Sequence, residues 1–401
     1  MSAPAAPMLG LLAHPLLDPE AFPVPPVTAA LLVTALIAAL AYRRVGAVAP
    51  PAGGPGGPWS SWEGGLSRGQ IAGRAVAIAV LLVSVVAGRR GPNSEVANLA
   101  PALLLGVGWP VLVLASAVAG RVWRWVDPWD GVARALERPG EPDATTAAGV
   151  HAAAFVALAW AGYLIALPDA LGPRTVALAA GGYALAMVLG SVAFGRRRWL
   201  PRVDAAGLLL SWVARIPRGR LLEWDPPPGA AMVLGASLGG LLFGLIRASS
   251  LWEERTAAAV AAGVLVGAVS GAAGLVAADR VSARAGRPGA VVAASVPAFA
   301  AILGALALAR SRLFTSLRVA AAAASDPFGL GWDLFGTADW AVGAVPGPVP
   351  VAWMQLGLLL AGHGIAAWIV ARRGTGGRAR DAAVAVVAVS AAISVAAVTA
   401  V

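Results

Sequence analysis

Apolar runs of membrane-spanning length recur along this chain from one end to the other, and that recurrence decides what it can fold into. Crossing a hydrocarbon layer ~30 Å thick takes roughly 17–25 helical residues. Such runs fall at 24–42, 70–88, 99–119, 147–167 and 174–194, then at 230–247, 256–278, 290–309, 349–371 and 382–401. A backbone inside lipid has to satisfy its own polar groups, so each run reads as a helix. The expected fold is an all-α, polytopic transmembrane helix bundle of about ten spans, forming a single integral membrane domain over residues 1–401. Composition agrees, because 12% charged residues against 59% hydrophobic ones is too little charge to cover a soluble domain. Many of the 15 Trp residues stand beside the run ends, where an amphipathic indole is favoured.

The basic residues set the orientation. All 30 are Arg. If the N-terminus is outside and the loops alternate, 22 of them fall on the inner side and eight on the outer. That asymmetry explains the net charge of +10 as a topology signal, so no nucleic-acid partner is expected. The chain has no Cys, which excludes disulfides, thiol catalysis and iron–sulfur ligation by cysteine. Residues 1–22 carry no Arg, and the apolar patch Met8–Leu17 is interrupted by His14 and Pro15. No cleavable signal peptide is therefore expected, and the first span serves as an uncleaved anchor. The bias towards Ala, Gly, Arg and Pro points to a high-GC bacterium and its plasma membrane.

Two connections are long. The inner one, Gly195–Gly229, contains an apolar run, Ala205–Ala214, too short to span and ended by Arg215 and Pro217. It reads as an interfacial or re-entrant helix. The outer one, Arg310–Pro348, holds an Ala-rich stretch and then Ser325–Thr337. Pro50–Pro58 is a Gly- and Pro-rich inner loop. Five spans in each half would give the halves opposite orientations, as in inverted-repeat transporters, although the halves share no matching sequence.

Small residues repeat every four positions on the sixth and seventh spans: Gly235 and Gly239, Gly240 and Gly244, then Gly263, Gly267 and Gly271. In lipid this pattern serves close helix packing. Ionisable groups at membrane depth are expensive and few occur here. His363 lies in the ninth span, with Gln355 two turns earlier. It reads either as a metal, haem or proton site or as a His satisfied by a neighbouring Ser, Thr or carbonyl. His151 reads as an interfacial residue at the inner end of the fourth span. On the outer side stand Glu95 and Asn98, Glu253 and Glu254, and Asp326, Asp333 and Asp339, with His14. Asn98 caps the third span at the least. Carboxylates scattered over loops are ordinarily just solvated, but two of them and a Trp held by glycine turns invite a site. The expected binding residues are Asn98, Asp326, Asp333 and His363, with the two Asp lining an outer cavity floored by His363. No metalloprotease, serine hydrolase, phosphate-loop or dinucleotide motif occurs in its required context, and the sequence leaves any cofactor unknown.

Several stretches carry a resemblance when taken together. They are Leu12–His14 with Phe22–Pro25; Asn98-Leu-Ala-Pro101 leading through Val122-Trp123-Arg124 to Asp127-Pro-Trp129; and Phe194-Gly195 with Trp199-Leu200. The last is Ser325–Gly336, followed by Trp353, Gln355 and Gly362-His363. In this combination, which covers most of the chain, the sequence resembles the actinobacterial multipass membrane proteins of the fenitrothion hydrolase family. The resemblance implies hydrolysis of an organophosphate triester. Members of that family carry His residues in the span matching Ala290–Ala309 and just beyond. Here those positions hold Ala, Val, Ser and Pro, then Arg310 and Arg312. If those His hold a metal, the resemblance implies that this chain has lost it.

Three functional classes stay open on the sequence. The first is a transporter, a channel or a subunit of a membrane complex, whose partners are the lipid bilayer and other membrane subunits. The second is a membrane-embedded hydrolase working from the outer face. The third is a metal- or small-molecule-binding protein with an outer site.

Overall fold

The computed structural model describes residues 26–42, 65–137, 149–153, 171–252, 256–341, 345–373 and 377–399. Among them every regular element is helical. Eight helices are long and apolar enough to cross a membrane, and a ninth, Val27–Tyr42, is apolar but shorter. The expected run at 147–167 lies outside the described residues except for 149–153. The all-α polytopic bundle is therefore found, and each described long run is a helix.

In chain order the elements are α1 (Pro26–Tyr42), α2 (Arg68–Arg90), α3 (Ala100–Ala119), α4 (Trp123–Val126), α5 (Pro128–Ala135), α6 (Pro173–Phe194) and α7 (Arg196–Val203). There follow α8 (Ala205–Val213), α9 (Ala230–Ala248), α10 (Ala257–Arg284), α11 (Ala290–Leu308), α12 (Arg312–Ser325), α13 (Pro348–Arg372) and α14 (Gly377–Thr399). Their starts follow from local chemistry. Ser67 and Gln70 form a capping box on α2, Thr256 caps α10, and Pro173 opens α6 at a position where its missing N–H costs nothing. The first half of α3, Ala100–Gly108, is wound as a π-helix, with Trp109 N–H bonded to Leu104 O. Pro110 explains it, since that ring lacks an N–H and crowds the carbonyl of Gly106, so the turn before it widens.

The helices form two groups. One contains α2, α3 and α6 with the short helices α4, α5 and α7; the other contains α9, α10, α11, α13 and α14 together with α1. The first span thus packs among the last ones, against α13 and α14, and the described helices do not divide into the five-plus-five halves considered above. The seam runs along α3 and α11, bridged by α8 and α12.

Close approach of small residues holds the second group together. A Cβ added at Gly239 would lie 1.9 Å from Gly267 O, and one at Gly271 would lie 2.2 Å from Gly235 O. Lipid supplies no hydrophobic drive between helices, so such backbone contact is what favours association. Gly240, by contrast, faces open space.

Two connections differ from expectation. The run Ala205–Ala214 is α8, with Leu208, Leu210, Trp212 and Val213 fully buried, so this short helix is packed within protein rather than lying exposed on its surface. The segment after 309 is not mainly loop. Arg310 and Ser311 take left-handed backbone (φ 53° and 58°), and the chain then continues as α12. The α12 helix runs antiparallel to the start of α3, for Ser316 meets Gly106 while Ala323 packs with Leu99.

The connections assigned to the inner side meet one another. Val150 N–H donates to Pro228 O (2.8 Å), Arg373 donates to Leu221 O (2.8 Å), and Gly289 abuts Pro226. We refer to this end as the arginine-rich end.

A buried charge cluster at the arginine-rich end

Arg74 lies two turns into α2, inside an apolar run, and is 2% exposed. Its guanidinium pairs with Asp130 and also donates to Arg124 O at 3.2 and 3.3 Å. Asp130 is held in place by its own helix. Asp127 is the N-cap of α5, Pro128 opens the helix, and Asp127 Oδ1 accepts from Asp130 N–H at 3.0 Å. Arg134, one turn later, reaches Asp130 Oδ2 at 2.8 Å. The third cation arrives through Gly195, whose φ of +85° breaks α6 from α7 in a conformation that favours glycine. That turn sets Arg196 Nη1 2.8 Å from Asp130 Oδ1, and Arg196 Nη2 3.1 Å from Glu137. One carboxylate that is 1% exposed therefore joins α2, α5 and α7. Burial pushes the Asp130 carboxyl up, but Arg74, Arg134 and Arg196 outweigh it and hold the group below the usual carboxylate range.

A second carboxylate centre adjoins the first. Asp204 caps α8, accepting from Gly207 N–H at 3.0 Å, and its Oδ1 also receives the Tyr183 hydroxyl at 2.6 Å. The Trp129 ring stands 5.3 Å from Tyr183 and 6.0 Å from Trp123, forming an aromatic wall. Burial raises the Asp204 carboxyl to about 6, against the donors that favour its ionised form. Burial raises Asp127 well above the ordinary range, reinforced by the charges of Asp130 and Asp204.

The residues singled out from sequence lie elsewhere. Asn98 is fully buried, donates to Ala87 O (2.9 Å) and Pro92 O (2.8 Å), and accepts from Ala100 N–H (2.9 Å). It ties the turn before α3. The Ser325–Thr337 loop rests on that same turn, with Gly91 against Pro327 and Gly329 against Pro92, so Asn98 and the two Asp do share one end. Asp326 accepts from Leu330 N–H (2.9 Å) and Gly331 N–H (2.8 Å). Asp333 accepts from the Ser325 hydroxyl (2.7 Å), Thr337 N–H (2.9 Å) and Ala338 N–H (3.1 Å). Leu330, Trp332, Leu334 and Phe335 point outward instead. The Ser325 hydroxyl and those backbone donors hold Asp333 below the usual range.

His363 does not join that loop. It is buried within α13, with Nδ1–H donating to Leu359 O at 2.8 Å and Nε2 accepting from Ser390 of α14 at 3.1 Å. Gln355 donates to Ala305 O at 2.8 Å. His363 sits ~22 Å along α13 from its start, and Pro346 just before that start bonds to Ser311, at the opposite end of α12 from Asp326. The cavity expected between Asp326, Asp333 and His363 is therefore not assembled. Among the described residues no three His, Asp or Glu side chains gather as a metal site requires.

Asp130, Asp204 and Tyr183 carry no expectation from the sequence, and Asp127 enters there only through the Asp127-Pro-Trp129 stretch. The signal present was Arg74, an arginine within an apolar run that needs a buried partner. No protein-family model, no curated protein and no solved structure matches this chain.

Proposed function

We propose that the protein is a transporter-like multipass protein of a bacterial plasma membrane that changes its packing at the arginine-rich end, which faces the cytoplasm. Asp130 is the latch of that movement. The observation that carries this reading is one buried carboxylate serving three arginines from three helices. Buried ion pairs are poor sources of stability, because desolvation offsets their attraction and apolar packing would serve as well. Their use is in a joint with two states, closed when dry and opened when water replaces the partners. The cluster lies within the first helix group, so the movement it restrains is that of the short helices α5 and α7 against α2. The orientation rests on the arginine asymmetry.

The chain has no Cys, so a single introduced thiol reports without interference. Ala133→Cys places it on α5 beside the latch, at a site 3% exposed. In membranes, a water-soluble maleimide should label it slowly, and Asp130→Asn should accelerate labelling by about a hundredfold or more, the shift that ~3 kcal/mol produces. A thiol introduced by Ala236→Cys in α9 should stay protected in both, showing that the fold survives. Equal labelling of the Ala133→Cys thiol with and without Asp130 would make the cluster a static brace and favour a fixed subunit of a membrane complex.

A further inference from the structure

We infer that Asp127 and Asp204 are a proton-binding pair, holding one proton between them, and that this proton controls the latch on Asp130. The inference rests on the latch reading above and adds what regulates it. Both carboxylates are 1% exposed, and neither makes an ion pair among the described residues. The groups facing them can be named element by element. Tyr183 comes from α6, Asp130 and Trp129 from α5, Trp123 from α4, Arg74 from α2, and Arg196 from α7 by way of Asp130. Arg74 is the cation whose charge bears on Asp127, and it is already committed to Asp130. Asp130 keeps its charge because arginines stand beside it, so a proton collects on the buried carboxylates that have no ion pair.

A second observation marks where the proton enters. The indole N–H of Trp123 is buried and has no acceptor among the described residues. A Cβ built at Gly207 would lie 3.1 Å from that nitrogen and 2.2 Å from Asp204 Oδ2, so the indole donor and the carboxylate both pack against Gly207. Loosening of the latch lets water reach both groups and connects Asp204 to solvent.

Control of the latch follows from geometry. Asp127 Oδ1 accepts from Asp130 N–H, so the proton carrier and the latch share one helix cap. With Asp127 protonated, Asp130 keeps Arg74 and the latch is tight. Losing that proton puts negative charge beside Asp130, draws Arg74 away and loosens α5.

Two readouts on the full-length protein in detergent test this. Infrared spectra at neutral pH should show a protonated carboxyl band that disappears in Asp127→Asn, and acidification should add a second band that is absent in Asp204→Asn. Maleimide labelling of the Ala133→Cys variant, corrected for thiol ionisation with an exposed Arg198→Cys control, should speed up as pH rises. Adding Asp127→Asn should remove that dependence. Tyr183→Phe keeps the ring but deletes a donor to the Asp204 carboxylate, so it should move the acid-side midpoint up by about one pH unit. A neutral-pH spectrum unchanged by Asp127→Asn overturns the pair. Bands as expected with labelling indifferent to pH overturn the control of the latch. Failure of the latch itself shows separately, as unchanged labelling in Asp130→Asn at fixed pH.

Discussion

Arg196 Nη1 lies 2.8 Å from Asp130 Oδ1, with the side chains 5% and 1% exposed, so the first residue of α7 is fastened to the first turn of α5. A charge this deeply buried is costly to leave alone. Truncating one partner of such a pair leaves an uncompensated ion and costs about 3–5 kcal/mol. Arg134 meets the same carboxylate at 18% exposure, where solvent screens much of the interaction. Thermal unfolding in detergent should therefore rank the losses with Asp130→Ala largest, then Arg74→Ala and Arg196→Ala, and Arg134→Ala well behind. An Asp130/Arg196 double-mutant cycle should show strong coupling, since the two groups touch.

Helix crossing gives a second ranking. Gly239→Ala would drive a methyl to 1.9 Å from Gly267 O, whereas a methyl at Gly240 meets nothing within 4 Å. Gly239→Ala should lower the melting temperature clearly and Gly239→Leu more so, beyond the loss from Leu242→Ala. Gly240→Ala should be neutral or slightly stabilising. Equal losses at Gly239 and Gly240 would contradict the crossing of α9 on α10.

The raised carboxyl of Asp204 makes stability depend on pH in a definite direction. Its neutral form is favoured in the folded state, so its contribution is complete below the ordinary carboxylate value near 4 and is lost as pH rises through about 6. Over that window wild type should lose about 3 kcal/mol that Asp204→Asn does not lose. At still lower pH the latch carboxylate Asp130, whose value is depressed below the ordinary carboxylate range, is protonated in turn and stability falls. The difference between wild type and Asp204→Asn isolates the first effect from the second.

The outer loop behaves as a small preformed turn structure. Asp326 and Asp333 spend their oxygens on loop backbone donors and on Ser325. Asp326→Asn with Asp333→Asn should speed amide exchange across Leu330–Ala338 and leave the global melting temperature nearly unchanged, because both groups are outside the core. A fall in global stability would show that this loop braces α12.

The bundle was legible in the sequence because hydrocarbon thickness and backbone satisfaction act on every span alike. The Gly235–Gly271 crossing was legible for the same reason, as a four-residue spacing that survives into contact. The charge cluster was hidden by its ordinary spelling. Asp127 and Asp204 sit at N-caps and Arg196 heads an arginine run, so each residue has a local explanation until Gly195 and α8 bring them together. Arg74 is one of the 22 arginines on the inner side, although it falls within the run 70–88, and its partner lies 56 residues away. The packing of α12 on α3 and of α1 on α14 depends on tertiary choices that periodicity does not carry.

The most direct test of the latch is a distance. Spin labels on Ile71→Cys in α2 and Arg198→Cys in α7, both exposed sites, span the elements that Asp130 joins. In wild type reconstituted in lipid, the account predicts one dominant short distance with a minor longer one. The longer population should become dominant in Asp130→Asn and grow in wild type as pH rises. A single distance, identical in wild type and Asp130→Asn at every pH, would contradict it.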